Sequence, residues 1–250
     1  MKTILAAVLL GVIGIGYADD ADIEGARQAW TKAYLEKNGH PVPDSGVKII
    51  SQKQQSNSLD SQKQRLKNLM DIKKFGYINR REPKVEQLLT LKITAANDYK
   101  HHGSDYKPTN THLKHSIDEL KMAYTFVGVP KNEMSEMIGV APYLTYLKNQ
   151  GWVGATQFFV KEGIGICDFS ENNVRLSHGA VTIPKEEVRN DVNGKVTTVD
   201  VVGTKKSGFL YRVEWYDHSF FRELDCANKE YSEKIKNSVI KLAVKIDNFQ

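Results

Sequence analysis

The chain has 250 residues, a formal net charge of +5, 40 % hydrophobic residues and 26 % charged ones. This is globular composition, which excludes a disordered, collagenous or multi-spanning membrane chain and leaves room for one large domain or two modest ones. With only two cysteines, it is also not a disulfide-dense miniature scaffold.

Residues Met1 to Ala18 carry Lys2, an apolar run from Ile4 to Ile15 and the small-residue segment Gly16-Tyr17-Ala18 before Asp19-Asp20. That order reads as a secretory signal peptide, cleaved after Ala18. The run is shorter than the ~20 residues a membrane span needs. No second long apolar segment follows, and no cysteine stands at the cleavage region to take a lipid anchor. The expectation is an exported, periplasmic or secreted protein without a transmembrane segment after cleavage. No asparagine begins an Asn-x-Ser/Thr sequon, which tilts the source toward bacteria.

From residue 19 to 150 the spacing favours helices. Ile23, Ala26, Trp30, Ala33 and Tyr34 suit a helix over 21–38, ended by Gly39, Pro41 and Pro43. Residues 44–57, with the polar tract Ser51 to Asn57, read as a flexible surface linker. Asn57 or Ser58 suits the cap of a helix with Leu59, Leu66, Leu69, Met70 and Phe75 roughly on one side. Pro83 suits the first turn of another, buried through Val85, Leu88, Leu89, Ala96 and Tyr99. Leu113, Ile117, Leu120 and Tyr124 predict a helix over 111–126, followed by short pieces at 131–138 and 142–149.

Over 151–250 the period changes to two. Strands are expected at 156–169, 174–183, 188–192, 195–202 and 209–215, where Phe209, Tyr211, Val213 and Trp215 alternate with Leu210, Arg212 and Glu214. Asn193-Gly194 marks a type I′ hairpin, and turns are expected at 171–173 and 205–208. A final helix over 229–246 presents Ile235, Val239, Leu242 and Ile246 to one face of the sheet. The fold expected is α+β: a helical N-terminal half, then an antiparallel β-meander of four or five strands covered by a C-terminal helix. Cys167 and Cys226 are expected to form a disulfide that ties sheet to helix, since an exported chain with an isolated pair favours a structural bridge.

Two clusters could carry function. Lys63, Arg65, Lys67, Lys73, Lys74, Arg80, Arg81 and Lys84 stand against only Asp71 and Glu82, a local excess of six positive charges. Such a basic helical patch suits an anionic envelope surface or a partner protein, and export turns it away from chromosomal nucleic acid. His101, His102, His112 and His115 fall within fifteen residues, and the last two stand three apart on the expected helix. Two such imidazoles plus a third suit Zn²⁺ or Cu²⁺. Against this, the surrounding segment is polar, the spacing matches no strong zinc signature, and H-E-x-x-H is absent. Solvated surface histidines and no cofactor are the expectation.

Catalytic signatures are missing: the chain has no G-x-S-x-G elbow, no P-loop and no dinucleotide fingerprint. Ser177-His178 and Asp217-His218-Ser219 are sequence neighbours whose side chains alternate between faces, so neither makes a triad. The expected function is an exported, non-catalytic binding or adaptor protein. The alternative is a secreted or envelope hydrolase, metal-assisted through the histidines.

Overall fold

The computed structural model describes residues 46–51, 59–102, 113–177 and 179–250. The expected signal peptide, the helix over 21–38 and most of the polar linker lie outside these residues. All described residues belong to one compact unit, Pro41–Gln250. The described residues form a mixed α+β fold of three α-helices and a large sheet. The strands are β1 (Gly46–Ile50), β2 (Ile78–Asn79), β3 (Glu136–Leu147), β4 (Gly151–Lys161), β5 (Gly165–Asn173), β6 (Ala180–Pro184), β7 (Arg189–Val192), β8 (Lys195–Thr204), β9 (Gly208–Tyr216) and β10 (Phe220–Asn228). The helices are α1 (Leu59–Phe75), α2 (Pro83–His102) and α3 (Glu233–Asp247).

The sheet is larger than the expected meander and wound differently. Its order is β2-β8-β9-β10-β5-β4-β3, with β7 beside β8. Two antiparallel meanders, β3-β4-β5 and β7-β8-β9-β10, meet where β10 pairs with β5. Between them the chain leaves the sheet, and β6 pairs in parallel with β1, inside the stretch expected to be linker.

Period two and turn chemistry explain most of this sheet. Asn193 and Gly194 have φ of 48° and 73°, the left-handed pair a type I′ turn requires. Gly165 has φ 137°, and a Cβ there would lie 2.1 Å from the Ala227 carbonyl oxygen. Only glycine permits the close approach of β5 to β10 at that point. The β4–β5 turn therefore falls at 162–164, and the expected turn at 171–173 is instead the end of β5.

The helices expected over 111–126, 131–138 and 142–149 do not form. Lys114 exchanges both backbone bonds with Val140, at 2.7 and 2.8 Å, and Ala123 N–H donates to Trp152 O at 2.9 Å. The segment spends its backbone groups on β3 and β4 rather than on itself, apart from short 3₁₀ turns at Ile117–Glu119 and Lys131–Glu133. In β3 the register shifts between Met137 and Gly139 and between Tyr143 and Tyr146. Each bulge interrupts the alternation, so apolar residues fall three or four apart and imitate a helical spacing.

The core lies on one sheet face. Cys167, Phe169, Val213, Trp215, Leu224 and Cys226 are buried there against Val239, Leu242, Ala243 and Ile246 of α3. The Cys167–Cys226 disulfide is present, joining paired positions of β5 and β10. It therefore links strand to strand rather than sheet to helix. Asp247, in the last turn of α3, accepts from Trp215 Nε1 at 3.0 Å and from Lys195 Nζ at 2.6 Å, which fixes that end of the helix. On the opposite sheet face, Val85 and Leu88 of α2 pack on Leu210 and Ala227.

Candidate functional site

The basic patch comes apart on folding. Arg65 pairs with Glu187, Arg81 with Glu86 at 3.0 Å, and Lys84 turns into the sheet. Lys63, Lys67, Lys73, Lys74 and Arg80 stay exposed. The first four share α1, whose orientation inverts the usual rule. Its half-buried side chains, Arg65, Asn68 and Asp71, recur every three residues. Asp71 Oδ2 accepts the Asn79 N–H at 3.1 Å, so the helix docks by polar contacts. Of the apolar residues expected roughly on one side of this helix, Leu66, Leu69 and Met70 face out, 62 %, 55 % and 71 % exposed. At 100° per residue, Leu66 and Met70 lie at the middle of the outward face, with Lys63, Lys67 and Lys74 on one flank and Lys73 on the other.

The face of the sheet beside α2 carries a polar strip that no local spacing announced. Three cross-strand rows build it. Asp168 of β5, Asp225 of β10 and Arg212 of β9 form one; Ser170, Glu223 and Glu214 the next; Asn172, Phe221 and Tyr216 the third. Lys84, at the start of α2, reaches into it. Its Nζ lies 2.7 Å from Asp225 Oδ2, 3.0 Å from Glu223 Oε1 and 3.1 Å from Asp168 Oδ2. Arg212 forks onto Asp225, with Nε at 2.9 Å from Oδ1 and Nη2 at 2.6 Å from Oδ2. Glu214 Oε2 accepts from the Thr198 and Tyr216 hydroxyls at 2.7 and 2.8 Å, and the Thr156 and Ser170 hydroxyls pair at 2.8 Å.

The electrostatics follow from this crowding. Burial pushes the Asp168 carboxyl up to about 7; Asp225 and Glu223 add to the shift, and Lys84 opposes it. Burial, then Asp225, also raises Glu223. Burial works against the Lys84 ammonium, yet Asp168, Asp225 and Glu223 together hold its pKa above the ordinary lysine value. Tyr143 of β3 leans over Gly154, where a Cβ would stand 3.1 Å from the ring. Burial raises this phenol, and Glu223 raises it further.

Asp168, Glu223 and Asp225 bring one carboxylate oxygen each within 4.8 Å of one another. The Lys84 ammonium already contacts all three, and both Asp225 oxygens are engaged by Arg212, which leaves a poor donor set for a metal ion. The histidine cluster stands differently. His115 is exposed, His101 and His102 end α2 with side chains outside the described residues, and His112 lies outside them altogether, as does His178. Among the described residues, no helix is long and apolar enough to cross a membrane. Asp217 Oδ2 pairs with Arg222 at 2.6 Å and Asp217 Oδ1 accepts the Ser219 N–H at 2.9 Å. Comparison of the chain with family models, with curated proteins and with solved structures finds no match.

Proposed function

We propose that this chain is an exported, non-catalytic binding protein that docks on an anionic lipid surface through the outward face of α1. The observation that carries the reading is the inverted helix: Leu66, Leu69 and Met70 exposed among Lys63, Lys67, Lys73 and Lys74. Apolar side chains entering the acyl boundary, with lysines reaching outward to headgroups, is the chemistry of an interfacial helix. Each lysine near an anionic leaflet contributes about 1 kcal/mol, so four supply reversible binding sensitive to salt. An acidic partner protein meets the charge equally well but gives no reason for three exposed apolar side chains among the lysines. Export rests on Met1–Ala18 and agrees with the buried Cys167–Cys226 disulfide.

Co-sedimentation with vesicles tests the docking surface. The mature chain is expected to bind phosphatidylglycerol vesicles and release them at high salt. Replacing Lys63, Lys67, Lys73 and Lys74 by glutamate, or Leu66 and Met70 by serine, abolishes binding. Equal binding to neutral phosphatidylcholine, no binding to either, or capture only by an acidic protein overturns the lipid reading. Export is tested by sequencing the N-terminus of the protein recovered outside the cytoplasm, which is expected to begin at Asp19. Uncleaved protein confined to the cytoplasm refutes it.

A further inference from the structure

The polar strip holds more negative charge than its own cations offset. Asp168, Glu214, Glu223 and Asp225 face Lys84 and Arg212, an excess of two when all are ionised. Burying carboxylates with too few cations is costly, and a donor-rich cation relieves that cost.

Two acceptors on the same face of β5 add an independent observation. Asp168 Oδ1 and Asn172 Oδ1 are buried and, among the described residues, have no hydrogen-bond partner. Both side chains belong to residues more than nine-tenths buried. An unpaired buried acceptor costs about 1–3 kcal/mol, so two on one strand face favour a ligand that donates. The neighbouring row is aromatic: Phe221 and Tyr216 stack at 5.1 Å, and Tyr143 leans in from β3 across Gly154. Carboxylates beside aromatic faces recognise ammonium groups, through charge and through the ring quadrupole.

The chain also shows what fits among these carboxylates. Lys84 places an ammonium at 2.7–3.1 Å from three of them, the contact distances of a charge-assisted hydrogen bond. An anion is repelled by the same excess, a neutral polyol leaves it uncompensated, and a divalent metal finds Asp225 already engaged by Arg212.

We propose that this strip binds an organic diammonium cation, one nitrogen donating to Asp168 and Glu223 beside Lys84, the other reaching Asn172, with the alkyl chain against Tyr143, Phe221 and Tyr216. Alternate residues on one strand face are about 7 Å apart, so nitrogens about 7–10 Å apart span from the Glu223 row to Asn172. Entry lies over Lys84, Glu223 and Arg212, whose side chains are 25 %, 18 % and 31 % exposed. Binding draws Asp168 into its ionised form and releases its proton, so affinity rises with pH through the neutral range. This site is separate from the outward face of α1 and stands or falls independently of lipid docking.

Titration calorimetry of the mature chain with 1,5-diaminopentane tests the proposal, with pentylamine and Nα-acetyl-lysine methylamide as single-ammonium arms. The expected result is one diamine per chain, bound more tightly at pH 8 than at pH 6. Glu223→Gln and Asp168→Asn each weaken it about tenfold, the effect of losing about 1.4 kcal/mol of ionic contact. Glu223 is half-buried, so its variant keeps the test open if Asp168→Asn fails to fold. Pentylamine is expected to bind more weakly than the diamine. Tighter binding of the lysine derivative than of the diamine reassigns the site to a basic peptide and overturns the diamine. No heat at about 10 mM diamine, the same response to sodium chloride of equal ionic strength, or tighter competing binding of Ca²⁺ also overturns it.

Discussion

Lys84 Nζ and Asp225 Oδ2 stand 2.7 Å apart, joining the first turn of α2 to the middle of the sheet. Asp225 is fully buried, so this lysine is the link through which a surface helix addresses an interior charge.

Removing that link leaves Asp225 with Arg212 alone and leaves Asp168 without its cation. Lys84→Met is expected to cost about 3 kcal/mol in urea denaturation, because breaking one partner of a buried ionic cluster strands the others. A double variant Lys84→Met/Asp168→Asn recovers part of the loss. A Lys84→Met protein as stable as the parent would show that the cluster contributes nothing to holding α2.

The stability of the chain should fall as pH rises through neutrality. The Asp168 pKa is pushed up to about 7, above an unfolded value of about 3.9, so the folded state holds the extra proton between these limits. The stabilisation is complete below about pH 4 and is lost as pH rises past 7. Asp217, Glu133 and Asp247 act oppositely. Burial works against each, but Arg222 overcomes it at Asp217, Lys245 and Lys161 at Glu133, and Lys195 and Asn193 at Asp247. Their contribution disappears as pH falls below about 4. Denaturation at pH 5 and pH 8 checks this: Asp168→Asn flattens the decline between the two.

Reduction should weaken the sheet centre. On the chain-entropy account, a bridge between cysteines 59 residues apart contributes about 4 kcal/mol. Cys167→Ser/Cys226→Ser is therefore expected to lower the urea midpoint strongly, and a reducing agent to have no further effect on that variant.

Asp247 is an acid at the negative end of a helix, which local electrostatics disfavours. Trp215, Lys195 and Asn193 offset that cost by donating to it. Asp247→Ala should destabilise by about 2–3 kcal/mol and alter the tryptophan emission, since Trp215 Nε1 loses its acceptor. An unchanged spectrum would remove Asp247 from the account of how α3 is held.

The outward face of α1 should be dispensable for folding. Leu66→Ser/Met70→Ser is expected to change stability by no more than about 0.5 kcal/mol, as exposed substitutions do. A large loss would mean these side chains are buried in solution, which would undermine the docking surface.

Where local rules act alone, the sequence is a good guide. The Asn193-Gly194 hairpin, the alternation from Phe209 to Trp215 and the apolar side of α3 follow from turn conformation, pleat and helical period, and the Cys167–Cys226 bridge from the chain having only these two cysteines. The rest depends on distant partners. Leu113, Ile117, Leu120 and Tyr124 have helical spacing, but backbone bonds from Lys114 to Val140 and from Ala123 to Trp152 decide otherwise. The bulges of β3 disguise a strand as helix for a related reason: cross-strand register is invisible in one segment. The same limit applies to the basic cluster. Sequence determined that Lys63 to Lys84 is rich in positive charge, because composition is local. Only tertiary structure decided which charges remain outside, turning Lys84 onto Asp225 and Arg65 onto Glu187 while Lys63, Lys67, Lys73 and Lys74 stay in water beside Leu66 and Met70. Pairing of a charge is settled by which strands meet, and that is a property of the whole fold.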